Sequence, residues 1–240
     1  MIGTAAEPLV ATVVPSATQV IGAPLVPGSW VTIYGQQFAA GPILAQGSTL
    51  PLSLGGIDVL LGGSPVPLYY ADAGQVNAVI PWALAPNVHT QLVLRREGAP
   101  ALPLSVTLTE VNPGLFTMNQ QGTGQAAALL AGTAALAAAG SPAKPGGIIE
   151  LYGSGFGPVN SAPVDGMPAS LTQPPLVNNS VTATVGGMPA RILFAGLAPG
   201  TIGLYQIDVQ IPDDTSLGDT VEVVLFQKGV RSNSVTIAIH

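Results

Sequence analysis

The sequence predicts an all-β chain of two tandem β-sandwich domains, residues 1–112 and 113–240. Three observations carry this reading. The phrase GAPLVPGSWVTIYGQQF, residues 22–38, recurs as GSPAKPGGIIELYGSGF, residues 140–156. Apolar and polar residues alternate over short runs, the signature of half-buried strands. Thirty glycines and 23 prolines punctuate those runs, and short strands separated by regular turns indicate a sandwich or barrel.

The repeat can be followed element by element. In the opening phrase, Pro27-Gly28 and Pro145-Gly146 form the turn, with Pro presetting φ and Gly supplying a positive φ. Val31 and Ile33 then match Ile149 and Leu151 on an inward face, with Thr32 and Glu150 outward. LGGSPVPLYY, residues 61–70, aligns with VGGMPARILF, residues 185–194. QVNAVIP, residues 75–81, aligns with QIDVQIP, residues 206–212: Val76, Ala78 and Ile80 answer Ile207, Val209 and Ile211 on one face, and Gln75 and Asn77 answer Gln206 and Asp208 on the other. LVLRREG, residues 92–98, aligns with VVLFQKG, residues 223–229, and LSVTLTE, residues 104–110, with NSVTIAI, residues 233–239. The offset drifts from 118 to 124 to 131 and returns to 129, as insertions in surface loops would produce. The joint falls at VNPGLF, residues 111–116, short and apolar, so a fixed relation between the domains is expected. The alanine-rich leader of the second copy, residues 117–140, reads as strand–turn–strand, although alanine propensity favours helix.

The elements PGSWVTIYGQQFA, GGSPVPLYYADAGQVNAVIPWALAP, NPGLFTMNQQGTGQ and GGMPARILFAGLAPGTIGLYQIDVQIP resemble the Solibacter uncharacterised C-terminal domain family, over roughly residues 15–240. Each half also resembles the immunoglobulin-like IPT/TIG fold. The resemblance implies immunoglobulin-like sandwiches, secretion and a bacterial cell-surface location. It supplies no activity and no catalytic residue. Members of that family follow a longer upstream region.

Composition narrows the function. Charged residues make up 8% of the chain and apolar ones 48%, against about 25% charged in typical soluble proteins. The longest candidate for a membrane span, AAALLAGTAALAAAG at 126–140, is short and broken by Gly132-Thr133. The opening MIGTAAEPLV has neither a basic nor an apolar leader region, so no signal peptide is read there. Net charge is −6 with six cations, the first at Arg95. Nucleic-acid binding needs clustered Lys and Arg, which argues against that partner. Without cysteine there are no disulfides or thiolate metal sites.

No catalytic, cofactor-binding or metal-ligating set converges. His89, in APNVHT, reads as an exposed turn residue, and His240 is the last residue. Ser154 in YGSGFG has the wrong spacing for a nucleophile elbow. Asp213, Asp214 and Asp219 read as a solvated acidic loop rather than a Ca²⁺ site. Lys144 and Lys228 sit in turns, unsuited to an intramolecular crosslink. Trp30, Trp82, Tyr69, Tyr70 and Tyr205 are candidates for a sugar-stacking platform, with Trp30 and one of Tyr69 and Tyr70 on a strand face, although core or edge packing is the favoured reading of these rings.

The function expected from this balance is that of a non-enzymatic extracellular structural protein that self-associates into a homo-oligomer or filament through sandwich edges and apolar surface. Its candidate assembly strand lies in residues 8–26: Leu9, Val10, Val13, Val14, Val20 and Ile21, long, apolar and without Lys or Arg, with pairing inside its own first domain as the favoured alternative. Such a strand can add to a neighbour's sheet edge. Removal of residues 1–14 tests that reading. The alternative is an adhesin-like binding module for a glycan or a surface protein, with an aromatic patch at Trp82 and Tyr205.

Overall fold

A computed structural model describes residues 7–240. Residues 1–6, the front of the 1–14 segment named above, lie outside the described residues. Strands, turns and bends account for the fold, with no helix among the described residues; accordingly none is long and apolar enough to cross a membrane.

The first half contributes β1 (Leu9–Pro15), β2 (Trp30–Gln36), β3 (Ile43–Leu44), β4 (Ser53–Leu54), β5 (Ile57–Leu61), β6 (Ser64–Pro65), β7 (Leu68–Ala71), β8 (Gln75–Val79), β9 (Val88–Arg96), β10 (Ala99–Pro100) and β11 (Leu104–Leu108). One sheet runs β1-β2-β8-β7-β3; the other runs β10-β9-β5-β4, with β11 on β9 and β6 on β5. The second half contributes β12 (Gly114–Leu115), β13 (Ala128–Leu130), β14 (Ile148–Ser154), β15 (Val181–Val185), β16 (Met188–Leu197), β17 (Tyr205–Gln210), β18 (Gly218–Gln227), β19 (Val230–Arg231) and β20 (Val235–Ile239). Here β16 pairs with β15 through Met188–Ala190 and with β17 through Arg191–Leu197, so a single strand passes from one sheet to the other.

Each half closes over its own core. Val31, Ile33, Val76, Ala78, Leu92 and Leu94 belong to the first, and Ile149, Leu151, Ile207, Val209, Val223 and Leu225 to the second. These are the inward positions of the alternating runs, because successive side chains of a strand point to opposite faces. The Gly-Gly pairs are hairpin turns in which both residues take positive φ: Gly62 57° and Gly63 84°, Gly186 58° and Gly187 80°. That is the two-residue turn that matches strand twist.

Two sequence expectations shift in register. The last strand does not return to an offset of 129. Leu104 pairs with Leu92 and Val235 with Val223, so Leu104 corresponds to Val235 and the offset stays at 131. A slip of two residues leaves every side chain on its original face, so alternation alone is blind to it. His89 lies in β9 rather than in a turn, exposed, with its Nδ1 3.0 Å from Thr107 Oγ1. The alanine-rich leader is a strand and hairpin: Ala128–Leu130 pairs with β14, and Leu130 N–H donates to the Ala135 carbonyl at 2.9 Å. Pairing to a core strand overrides alanine's helical preference.

The segment singled out for assembly is divided. Leu9–Pro15 pairs antiparallel with β2 of its own sheet. Val10 and Val13 belong to the first core and Val14 is buried. Leu9, Val20 and Ile21 remain outward, Ile21 76% exposed.

Candidate functional site

The two halves are riveted by hydrogen bonds, most of them between residues far in sequence from the 111–116 segment. Trp30 Nε1–H donates to the Ile202 carbonyl at 2.8 Å, and Trp30 N–H to Ser154 Oγ at 3.0 Å. Ser154 is thus a buried acceptor at the joint. Trp82 N–H donates to Asp165 at 2.8 Å and Leu50 N–H to the Gly166 carbonyl at 2.9 Å. Glu110 accepts from Lys228 Nζ at 2.7 Å and from Asn179 Nδ2 at 3.0 Å. The Lys228 bond, first, and the Asn179 bond hold the Glu110 carboxyl below its ordinary value.

The proposed aromatic patch at Trp82 and Tyr205 is corrected by this joint. The two rings do meet, with centroids 6.5 Å apart. Tyr205, however, is wholly buried, its O–H donating to the Gly157 carbonyl at 2.5 Å, and burial pushes its phenol far above the usual value. It alternates with Ile207 and Val209 on the inward face of β17. Trp82 is half-buried against the second core. A Cβ placed on Gly28, which has φ 79°, would lie 2.2 Å from the Trp82 ring, so this close approach requires glycine. Trp82 is a wedge between halves and not a surface for ligand.

The remaining aromatic candidates converge elsewhere. Trp30, Thr32 and Tyr34 occupy alternate positions of β2, outward from the first core. Across the sheet, Thr32 faces Asn77 and Tyr34 faces Gln75. The register of β7 against β8 shifts between Leu68 and Tyr70. This bulge turns both Tyr69 and Tyr70 outward, where strict alternation would expose one. The second half closes the other side with Phe116, Asn119–Gln121, Thr201, Ile202 and Leu204. The result is a cleft of about 820 Å³, within the range of roughly 300–1,000 Å³ usual for small-molecule sites.

The chemistry of its walls is uniform. Among the described residues, every one that lines the cleft is aromatic, apolar, amide or hydroxyl, and none is charged. Tyr69 is 42% exposed, with Trp30 standing edge-on to it at 5.4 Å. Three of the aromatic polar hydrogens are engaged by protein: Trp30 N–H by Ile202, Tyr34 O–H by Gln19 Oε1 at 3.0 Å, Tyr70 O–H by Asp72 at 2.9 Å. Gln75 Nε2 donates to Asn77 Oδ1 at 2.7 Å, and Asn77 Nδ2 to Thr32 Oγ1 at 3.0 Å. Ring faces, phenol lone pairs and the second amide hydrogens of Gln75 and Asn77 are left for a ligand.

Asp72 stands behind this wall and organises it. Its Oδ1 accepts both the Gly74 and the Gln75 N–H at 2.7 Å. Burial pushes its carboxyl up, but the bonds from Gly74, Tyr70 and Gln75 together outweigh burial and hold it below its ordinary 3.8. The same bond to Asp72 raises the Tyr70 phenol, which therefore stays neutral.

The corresponding face of the second half has diverged. Glu150 and Asp208 stand opposite each other where the first half has Thr32 and Asn77. Burial, reinforced by the Glu150 charge, pushes the Asp208 carboxyl up. The neutral aromatic face is a property of the first half alone.

Sequence reading missed Tyr34, Gln75, Asn77, Gln19 and Asn119–Gln121 as one site. The outward face of β2 and β8 was legible; the second half's approach to it was not.

No protein-family model and no curated protein matches the chain, so the family resemblance rests on the motifs quoted above. Among solved structures, the chain is similar to the SGBP-B protein of the Bacteroides ovatus mixed-linkage glucan utilization locus, solved with a mixed-linkage heptasaccharide: 14% identity, 95% of this chain and 45% of that one, TM-score 0.33. It is similar to a gamma-CGTase from alkalophilic Bacillus clarkii at 11% identity, covering 97% of this chain and 27% of that one, TM-score 0.31. Domains 5–6 of the S-layer protein SbsC match at 10% identity over 97% of this chain and 98% of theirs, TM-score 0.28. The chain thus spans less than half the length of the first two. At these scores the superpositions carry no argument, and the reading that follows rests on the cleft.

Proposed function

We propose that the protein is a non-enzymatic, extracellular glycan-binding module that holds a neutral oligosaccharide or polysaccharide segment in the cleft between its two halves. The observation that supports this is the cleft wall: exposed tyrosine faces beside amides and hydroxyls, with no charged residue. A sugar ring offers an apolar face for an aromatic ring and several O–H donors for phenol and amide oxygens. Tyr69 supplies the stacking face. Tyr34 and Tyr70, their own protons engaged, accept from sugar hydroxyls, and Gln75 and Asn77 donate to them.

Binding without turnover also fits the wall. Glycoside hydrolysis generally needs two carboxyl groups flanking the bond. Among the described residues no carboxylate lines the cleft, and Asp72 has both oxygens engaged by Gly74, Gln75 and Tyr70. The joint supports a preformed site, which lowers the ordering cost of binding. The surface location follows the motif resemblance described above, which implies secretion.

Affinity electrophoresis tests the reading. Gels containing neutral polysaccharides (β-glucans, mannans, xylans, galactans) should include at least one that retards the protein, and the retarded species should be lost on Tyr69→Ala. Retardation only in anionic gels such as pectate or a sulfated glycan would overturn it.

A further inference from the structure

Six residues other than glycine hold a positive φ among the described residues: Gln19, Gln37, Asn87, Glu97, Gln120 and Lys228. That backbone is uncommon for a side chain other than Asn or Asp. Three of the six have a local reason. Glu97 and Lys228 each precede a positive-φ glycine, Gly98 and Gly229, in a two-residue hairpin turn that requires it. Asn87 is of a type that tolerates it. Of the three glutamines, Gln37 follows β2, while Gln19 and Gln120, both at φ 58°, line the cleft, one from each half.

Gln19 is engaged by protein. Its N–H donates to the Pro15 carbonyl and its Nε2 to the Ser16 carbonyl, both at 2.9 Å, and its Oε1 accepts the Tyr34 O–H. Gln120 is held through its backbone, with its N–H donating to the Thr117 carbonyl at 3.0 Å. The turn around it is fixed. Buried Thr117 donates its O–H to Asn119 Oδ1 at 2.8 Å and accepts the Gly122 N–H at 3.1 Å; Asn119 Oδ1 also accepts the Gln121 N–H at 3.0 Å. Asn233 Nδ2 donates to the Gly122 carbonyl at 2.8 Å. A Cβ on Gly122 would stand 2.5 Å from the Thr18 carbonyl oxygen, so the turn also rests against the first half.

From this base Gln120 presents an exposed side chain to the cleft. A glycine would hold the same turn without strain, so the fold gains nothing from the carboxamide. Strained positions of this kind gather at ligand clamps. Gln75 and Asn77 lie on β8 in the first half, and Gln120 comes from the second, so a ring on Tyr69 is met by amides from two sides. A primary carboxamide donates and accepts at once. Two neighbouring sugar hydroxyls complement it, one accepting the amide N–H and the other donating to the amide oxygen. We propose, resting on the glycan reading of the cleft, that Gln120 is its specificity-determining residue and reads an unsubstituted vicinal diol. Linkage then narrows the ligand class. Internal pyranose units joined 1,4 keep adjacent free hydroxyls on carbons 2 and 3. Units joined 1,3 keep them on carbons 2 and 4, on either side of the linkage, and have no adjacent pair. The site selects 1,4-linked neutral chains over 1,3-linked glucans.

Affinity electrophoresis of the full chain tests this with two 1,4-linked polymers, deacetylated glucomannan and galactomannan, beside laminarin, a 1,3-linked glucan. At least one 1,4-linked polymer should retard the protein, and laminarin should not. Gln120→Gly should weaken that retardation about tenfold, as the loss of two neutral hydrogen bonds implies, while the melting temperature holds because glycine accepts this backbone. Gln120→Glu keeps the side-chain length but has no N–H donor, and should weaken binding as well; a side chain that only filled space would leave it unchanged. Undiminished binding by either variant, or retardation by laminarin equal to that by the 1,4-linked polymers, would overturn the proposal, and loss of binding in Tyr69→Ala would show the cleft reading still standing. Binding that survives Tyr69→Ala, or no retardation by any neutral glycan, would overturn the cleft reading and the Gln120 assignment with it.

Discussion

Truncating Trp82 to alanine should uncouple the two halves and lower stability by a definable amount. Full truncation of a buried Phe or Trp costs about 3–5 kcal/mol. Trp82 is only partly buried, but its ring lies against Gly28, 6.5 Å from Tyr205, and over the second core. A discount for the exposed part of the indole leaves about 2–3 kcal/mol. For a protein of this size about 1 kcal/mol moves the melting temperature by roughly 2–4 °C, so Trp82→Ala should melt about 4–12 °C lower. Trp82→Phe keeps much of the contact and should lose less than half of that. Calorimetry at neutral pH reads both. A shift under about 1 °C for Trp82→Ala would show that the indole is a surface residue, and the wedge assignment would fail. Loss of glycan retardation at a temperature where the variant remains folded would further show that the joint shapes the cleft.

Other substitutions have distinct signatures. Tyr205→Phe removes a buried O–H donor to Gly157 and should cost about 1–2 kcal/mol in urea unfolding; an unchanged midpoint would contradict the bond. Because burial raises the Tyr205 phenol, the stability it contributes is full below pH 10 and falls as pH rises above it, so alkaline unfolding should be later in Tyr205→Phe relative to its own neutral-pH stability. Asp72 has a depressed carboxyl, so its contribution is present above its ordinary 3.8 and is lost as pH falls through the folded value; an acid titration should show Asp72→Asn less sensitive than wild type below pH 4. Tyr69→Ala should weaken glycan binding about tenfold or more with little change in melting, since exposed aromatic anchors dominate binding energies; an equal affinity would remove Tyr69 from the site.

Much of the fold was legible because the chain states it twice. Val31 and Ile33, Ile149 and Leu151, and the paired Gly-Gly turns identify strands and turns through local pattern alone. What failed were properties that pattern does not encode. A two-residue slip of the last strand preserves every face, so only the pairing of Leu104 with Leu92 reveals it. The bulge at Tyr69 breaks alternation and doubles the outward tyrosines. Tyr205 could have been placed inward from its alternation with Ile207 and Val209, and the exposed patch avoided. The cleft depends on Ile202 and Asn119–Gln121 reaching Trp30 and Tyr34 across the joint, a long-range relation no single window contains.

The most direct measurement uses the two tryptophans as separate reporters. Trp30 lines the cleft as well as bonding across the joint to Ile202, whereas Trp82 packs in the joint and is not among the described lining residues. In a ¹⁵N-labelled sample their indole N–H signals can be assigned by single Trp→Phe substitutions and followed as a retarding neutral glycan is added. The account predicts that the Trp30 signal moves with ligand, together with side-chain amides of Gln75 and Asn77, while the Trp82 signal stays. Movement of Trp82 with Trp30 unchanged would place the ligand outside the cleft and contradict the assignment.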